Sequence, residues 1–224
     1  MLLEQTYPST SDYEKHFFHC LRAFKDKRYT EVDGKPLFMV YKPFNIPNPS
    51  EFIEIWQYLA KSNGLKGIYF IAQTQFEKEI NSLLNLGFDA VNTVRLRDVS
   101  IKGTGPAMKI ASKLFNIPQI YSYKKAIKYM ITDEEKREDV IPTIIPNWDH
   151  SPRSGKKAMI LHNSNPTDFE KLVTKATKVV SKKKRKIIFV KSWNEWGEGN
   201  YLEPDRKFKR GFLDALKNGL SNAC

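Results

Sequence analysis

Cysteine is nearly missing from this chain of 224 residues. Cys20 and Cys224 lie far apart, one on an apolar helix face and one at the terminus, so no disulfide framework is implied and a reducing compartment fits. Histidine is scarce as well. His16, His19, His150 and His162 offer no tight ligand spacing, since His16 and His19 flank the core face of one helix, so no metal site and no cofactor are expected. The Gly103-Thr104-Gly105 group lacks the full glycine fingerprint and the strand-to-helix context of a nucleotide-binding turn. No apolar run approaches the length that spans a bilayer, and no signal-peptide pattern opens the chain, so cytoplasmic residence is expected. Acidic residues number 25 against 37 lysines and arginines, a net charge of +12 that favours acidic partners in general without picking one. The run Lys182 to Lys186 has two readings: a solvated cationic helix end that suits the helix dipole, or a contact with an anionic membrane surface. Nucleic acid is not expected as a partner, because no RNA-binding motif or stacking platform accompanies the run.

What is present is an alternation of strand and helix patterns. Five short apolar runs read as strands: Leu37 to Tyr41, Gly67 to Ala72, Phe88 to Val91, Thr143 to Pro146 and Ile187 to Val190. Ser11 with Glu14 gives a capping-box pattern before Tyr13, Phe17, Cys20, Leu21 and Phe24 at helical spacing. Asn48-Pro49-Ser50-Glu51 predicts the start of a second helix with Phe52, Ile55, Trp56 and Leu59 as its core stripe. Lys78 to Leu86 and Asp168 to Val180 predict two more, each ending before a strand as in βαβ units. The stretch from about 92 to 140 is long and lysine-rich, with weak helical character around Ile110, Leu114, Tyr123, Ile127 and Met130. It reads as an elaborated connection, either a functional lid or a loosely packed insertion.

The segment from Lys191 to Pro204 is the most informative. Trp193-Asn194-Glu195-Trp196-Gly197-Glu198-Gly199-Asn200-Tyr201-Leu202-Glu203-Pro204 sets the carboxylates of Glu195 and Glu198 and two indoles just after a buried strand. Two carboxylates in different surroundings supply the acid and the base or nucleophile of glycosidic-bond chemistry. Gly197 and Gly199 make a regular helix through the pair improbable, so their separation stays open.

This motif resembles the signature of the WbsX-type glycosyltransferases of lipopolysaccharide biosynthesis, which are similar to the family 99 glycoside hydrolases, the endo-α-mannosidases. Glu4-Gln5-Thr6-Tyr7, Phe24 to Tyr29, Val32 to Pro36, Leu65 to Phe70, and Pro146-Asn147-Trp148-Asp149 with Pro152-Arg153 fit the same family. The resemblance implies an α/β fold built from the C-terminal five βα units of a TIM-like (β/α)8 barrel, with the N-terminal three units absent. On this reading residues 1–224 are a single partial barrel domain, and a missing N-terminal barrel segment is a partner. The resemblance also carries catalytic roles onto Glu195, as the base acting through the neighbouring sugar hydroxyl, and Glu198, as the acid/base at the glycosidic oxygen. Gly197 stands where mannosidases often have histidine, which leaves the sugar open.

Strand ends that meet a barrel ligand add further candidates. Tyr41, Trp148, Asp149, Asn194, Trp196 and Glu203 are expected to contact substrate. Trp196 is placed to line the site and raise a carboxylate pKa, Trp193 is placed in packing, and Glu203 is read as a rim or supporting acceptor. The implied partner is a glycan substrate, lipid-linked in one reading, met in the cytoplasm or peripherally at the inner membrane. The implied activity is glycosyl transfer in O-antigen biosynthesis. The alternatives are an endo-acting hydrolase resembling endo-α-mannosidase and a non-catalytic glycan-binding remnant.

Overall fold

The computed structural model describes residues 6–7, 9–103 and 106–222. Glu4, Gln5, Thr104, Gly105 and Cys224, all named above, lie outside the described residues. The chain forms two compact units, one up to Val91 and one from Asn92 onward.

The first unit runs through helix α1 (Thr10–Phe24), strands β1 (Glu31–Val32) and β2 (Lys35–Val40), α2 (Pro49–Ser62), β3 (Tyr69–Thr74) and α3 (Ile80–Asn85). Strand β4 (Ala90–Thr93) crosses its border. Asp33 and Gly34, both at positive φ, turn β1 into β2, and β2 pairs with β3 in parallel from Leu37–Tyr69 to Val40–Ala72. Asn48 caps α2 as its sequence suggests, its side-chain oxygen accepting from the Glu51 N–H at 3.3 Å with Pro49 in the first turn. The Ser11 capping box does not form: α1 begins at Thr10, and Ser9 is its cap residue, its hydroxyl paired with that of Ser11 at 2.8 Å. The core is aromatic. Trp56 has no solvent exposure, donates its indole N–H to the Tyr13 carbonyl at 3.0 Å, and meets Phe17, Phe24, Phe38, Phe52 and Phe70.

The second unit holds α4 (Leu96–Lys102), α5 (Pro106–Phe115), β5 (Gln119–Ser122), α6 (Tyr123–Ala126), β6 (Val140–Ile144), α7 (Ser151–Ser154), β7 (Met159–His162), α8 (Pro166–Val180), β8 (Phe189–Val190), β9 (Asn194–Glu195), β10 (Asn200–Tyr201) and α9 (Gly211–Ser221). Strands β6 and β8 pair in parallel, as do β5 and β7. All five expected strands are present within a few residues of their predicted positions. Strand β6 starts at Val140, earlier than the apolar run indicates, and accommodates Pro142, a residue that argues against a strand interior. The β5–β7 pair and α9 are additions. Helix α9 reaches α8 through Gly219, where a Cβ would stand 2.6 Å from that of Val173.

The lysine-rich connection is more than a loose rim. Its Tyr121, Tyr123, Ala126 and Met130 are buried in one core with Phe169, Leu172 and Phe212. The basic run is likewise divided, since Lys183 is buried with its ammonium donating to the Val140 carbonyl at 2.6 Å. No helix among the described residues is long and apolar enough to cross a membrane.

At the end of β4 sits a buried ion pair. Arg95 reaches Glu135 at 2.7 Å, Thr93 donates to the same carboxylate at 2.6 Å, and the Thr132 N–H and hydroxyl donate to its other oxygen at 2.7 and 2.8 Å. Burial alone would raise the Glu135 pKa, but the Thr93 hydrogen bond, the Arg95 charge and the Thr132 donors hold it below the usual carboxylate value. A lowered folded-state pKa contributes stability that is present above the unfolded value and lost as pH falls through the folded one. Replacing one partner leaves the other charge buried and uncompensated. Glu135→Ala is therefore expected to cost about 3–5 kcal/mol in urea unfolding at neutral pH. The gap between wild type and variant should narrow as pH falls below 4.5. An equal gap at every pH would contradict this account.

Candidate active site

The segment after β8 folds as a small hairpin rather than a helix. Asn194 and Glu195 pair antiparallel with Tyr201 and Asn200, and Trp196–Glu198 form one 3-10 turn closed by Gly199 at φ +49°. The peptide between Lys191 and Ser192 is cis. A Cβ on Gly199 would lie 2.8 Å from that of Asp149, whose own N–H donates to the Glu198 carbonyl at 2.9 Å. Glycine is thus required twice at this position, for the left-handed backbone and for the close approach.

Two asparagines lock the hairpin to the end of β6. Asn200, with no solvent exposure, donates from Nδ2 to the carbonyls of Asn147 and Lys191, both at 2.8 Å. Asn147 returns the pairing: its Oδ1 accepts from the Tyr201 N–H at 2.7 Å and its Nδ2 donates to the Tyr201 carbonyl at 3.0 Å. Ser192 completes the frame, donating to the Asn200 carbonyl at 2.6 Å and accepting from the Glu195 N–H at 3.2 Å.

This frame presents both carboxylates to one guanidinium. Arg153, from the short helix α7, donates from Nη1 to Glu198 at 3.0 Å and from Nη2 to Glu195 at 3.2 Å. The Glu198 carboxylate also lies 3.4 Å from His150 Nε2 and 3.7 Å from Lys191 Nζ. Its side chain is 13% exposed against 39% for Glu195, so the two occupy different surroundings. The His150 ring stacks on Trp148, its other nitrogen meets Ser154 at 2.8 Å, and the Lys191 ammonium stands 5.1 Å from the centre of the Trp148 ring.

The remaining candidates fall as follows. Trp196 is half exposed, stacks on Tyr201 at 3.8 Å, and donates its indole N–H to Glu203 at 2.8 Å. Glu203 therefore orients an aromatic face. Asn194 is exposed at the hairpin edge, and Asp149 serves the backbone frame, also accepting from the Ser151 N–H at 2.9 Å. Trp193, expected to be packed, is 51% exposed, because its carbonyl, taken by the Leu202 and Glu203 N–H groups, anchors the backbone and leaves the ring outside. Tyr41 belongs to the other unit, where it is exposed beside a cleft of about 230 Å³ lined by Phe44, Gln73 and Phe76. Among the described residues, no group of three or more His, Cys, Asp or Glu side chains is arranged to hold a metal.

Sequence reasoning assigned no site role to Arg153, His150, Lys191 or Asn200. The Pro152-Arg153 pair and Asn200 stand inside the quoted motifs, yet nothing in their spacing shows that residues 45 apart meet. Asn200→Ala should lower the unfolding free energy by about 2–3 kcal/mol through two buried carbonyls left without donors. Asn200→Asp, which turns an acceptor toward both, should cost more. Urea unfolding of the two variants checks the order.

A family model described as Glycosyltransferase WbsX matches residues 1–216. The uncharacterized protein WxcX of Xanthomonas campestris pv. campestris is similar to the whole chain in two strains. Identity is 24% over 229 residues in strain B100 and 25% over 230 residues in strain ATCC 33913. The chain spans about a third of the length of these relatives, 32% in each case. Two structures of the GH99 endo-alpha-mannosidase of Bacteroides thetaiotaomicron share the fold, each at a TM-score of 0.58. One, in complex with bis-tris-propane, is 18% identical, with 94% of this chain and 64% of that chain covered. The other is 17% identical, with 96% and 62% covered. On the family match over nearly its full length, the chain belongs to the glycosyltransferase WbsX family.

Proposed function

We propose that this chain is part of a carbohydrate-active enzyme of polysaccharide biosynthesis in which Glu195 and Glu198 carry the glycosidic-bond chemistry. One observation carries the reading: a single guanidinium, that of Arg153, gathers both carboxylates on a hairpin at the carboxyl end of a parallel strand, where ligands of such sheets bind. Glu198, the less exposed of the two, acts as the acid/base at the glycosidic oxygen. Glu195 acts as the base that works through the neighbouring sugar hydroxyl. Arg153 positions both groups.

The exposed faces of Trp196 and Trp193 supply flat apolar surface for the C–H side of a sugar ring, with Asn194 beside them for hydroxyls. Glu203 fixes the Trp196 ring, and Trp148 and Asp149 hold the loop beneath. The parallel strands and intervening helices are the βα units of a TIM-like barrel whose remaining units lie elsewhere in a longer protein, in keeping with the length of the relatives. Transfer and hydrolysis on this scaffold differ in whether a sugar hydroxyl or water reaches the anomeric carbon, and the same pair serves either. The acceptor in this reading is a lipid-linked glycan of the cell surface, met at the cytoplasmic face of the inner membrane.

The test uses the full chain and its Glu198→Gln and Glu195→Gln variants with free and lipid-linked oligosaccharides, products being read by mass spectrometry. Turnover should fall at least about a hundredfold in Glu198→Gln, the scale of a lost general acid, while glycan binding persists. Turnover unchanged in Glu198→Gln sinks the catalytic assignment. Glycan binding without turnover by the unmodified chain favours the non-catalytic remnant.

A further inference from the structure

We propose that the surface formed by α4, α5 and β5 docks on an anionic phospholipid bilayer and turns the carboxylate site toward it. The inference deepens the functional reading, from which it takes the lipid-linked acceptor. On three consecutive elements the chain exposes large apolar side chains: Ile110, Leu114 and Phe115 are 65%, 72% and 68% exposed, joined by Ile101, Ile117 and Ile120. Folding leaves scattered apolar groups in water as a matter of course, but so many large ones on consecutive elements mark an interaction surface.

Charge selects the occupant. Lys156 and Lys157 are exposed and line, with Ile101, a shallow cleft of about 520 Å³ beside the apolar face. Lys102 is exposed on α4, and Lys124 and Lys125 follow β5. The acid of α4, Asp98, is committed to Arg95 at 3.1 Å and to Lys102 at 3.7 Å. Large aliphatic and aromatic groups framed by lysines, on a chain of net charge +12, fit an interface with apolar chains below and phosphates above. The run Lys182 to Lys186 fits less well, because the Lys183 ammonium is buried against the Val140 carbonyl and the Glu138 carboxylate sits on the Lys184 backbone N–H, bringing negative charge to the run.

Position links this surface to the chemistry. β5 pairs with β7, and β7 is joined directly to the loop that carries the site: Met159 accepts from the His150 N–H at 3.2 Å and Leu161 donates to the Trp148 carbonyl at 2.8 Å. A bilayer bound at α5 therefore lies two strands away from Trp148, Asp149 and His150.

The experiment is sedimentation of the full chain with phosphatidylglycerol/phosphatidylethanolamine vesicles and with neutral phosphatidylcholine vesicles. Binding should be at least tenfold stronger to the anionic vesicles and weaken with salt. It should drop tenfold or more in Leu114→Glu/Phe115→Glu and in Lys156→Glu/Lys157→Glu, and stay near wild type in Lys182→Glu/Lys184→Glu. Circular dichroism reports whether each variant folds, and the Lys156/Lys157 variant keeps the test decisive if the apolar one does not. Absence of binding by the unmodified chain overturns the proposal, as does loss of binding in Lys182→Glu/Lys184→Glu alone. A dimer that Leu114→Glu/Phe115→Glu dissolves, with no vesicle binding, assigns the face to a second copy and also overturns it. Glu198→Gln should bind vesicles like wild type, so failure of the docking surface and failure of the catalytic reading are read separately.

Discussion

The buried amide of Asn200 is the interaction on which the site depends. Its two hydrogen atoms tie together the carbonyl that follows β8 and the carbonyl that follows β6, two adjacent parallel strands whose ends would otherwise splay into separate loops. Backbone hydrogen bonds from Lys191 to Ile144 and from Asp149 to Glu198 join the same segments, and between them the chain is turning. An amide side chain supplies the missing rung, and Asn147 supplies its mirror toward Tyr201. The amide is satisfied on its donor side alone, since Asn200 Oδ1 is buried without a hydrogen-bond partner. The position of the two glutamates follows from that rung.

The two units reach order by different means. The first is held by rings packed edge to face around Trp56, a non-directional gain from apolar burial sharpened by aromatic geometry. The second combines an aliphatic core with a buried cation, Arg95, that is matched by Glu135 and threonine hydroxyls. A chain with so large an excess of positive charge has reason to sequester cations in this way, since each one paired inside is one fewer repelling its neighbours outside.

Local patterning made most of this architecture legible. The apolar runs and the Asn-Pro helix start disclosed five strands and α2, because period and capping are encoded by adjacent residues. The start of α1 was misplaced since Ser9 and Ser11 carry the same chemistry two residues apart, and α8 begins at Pro166 because Asn165, unremarked in the sequence, accepts from the Asp168 N–H. At the candidate site, the motif names Glu195, Glu198 and Trp196, which lie on one hairpin, while nothing in it points to Arg153, His150 or Asn200 as their neighbours. Their importance is relational. It comes from which strand ends the sheet sets side by side, and residue identity alone carries no record of that.

The guanidinium shared by Glu195 and Glu198 also fixes an order of events. Arg153 is made well before its two partners, and between them the chain must lay down β7, complete α8 and seat β8 beside β6. Contacts across such spans form late, because the loop they close costs entropy until the intervening structure exists. The carboxylate pair is therefore held only once that intervening structure is in place, so that an incompletely folded chain carries the two glutamates without holding them together.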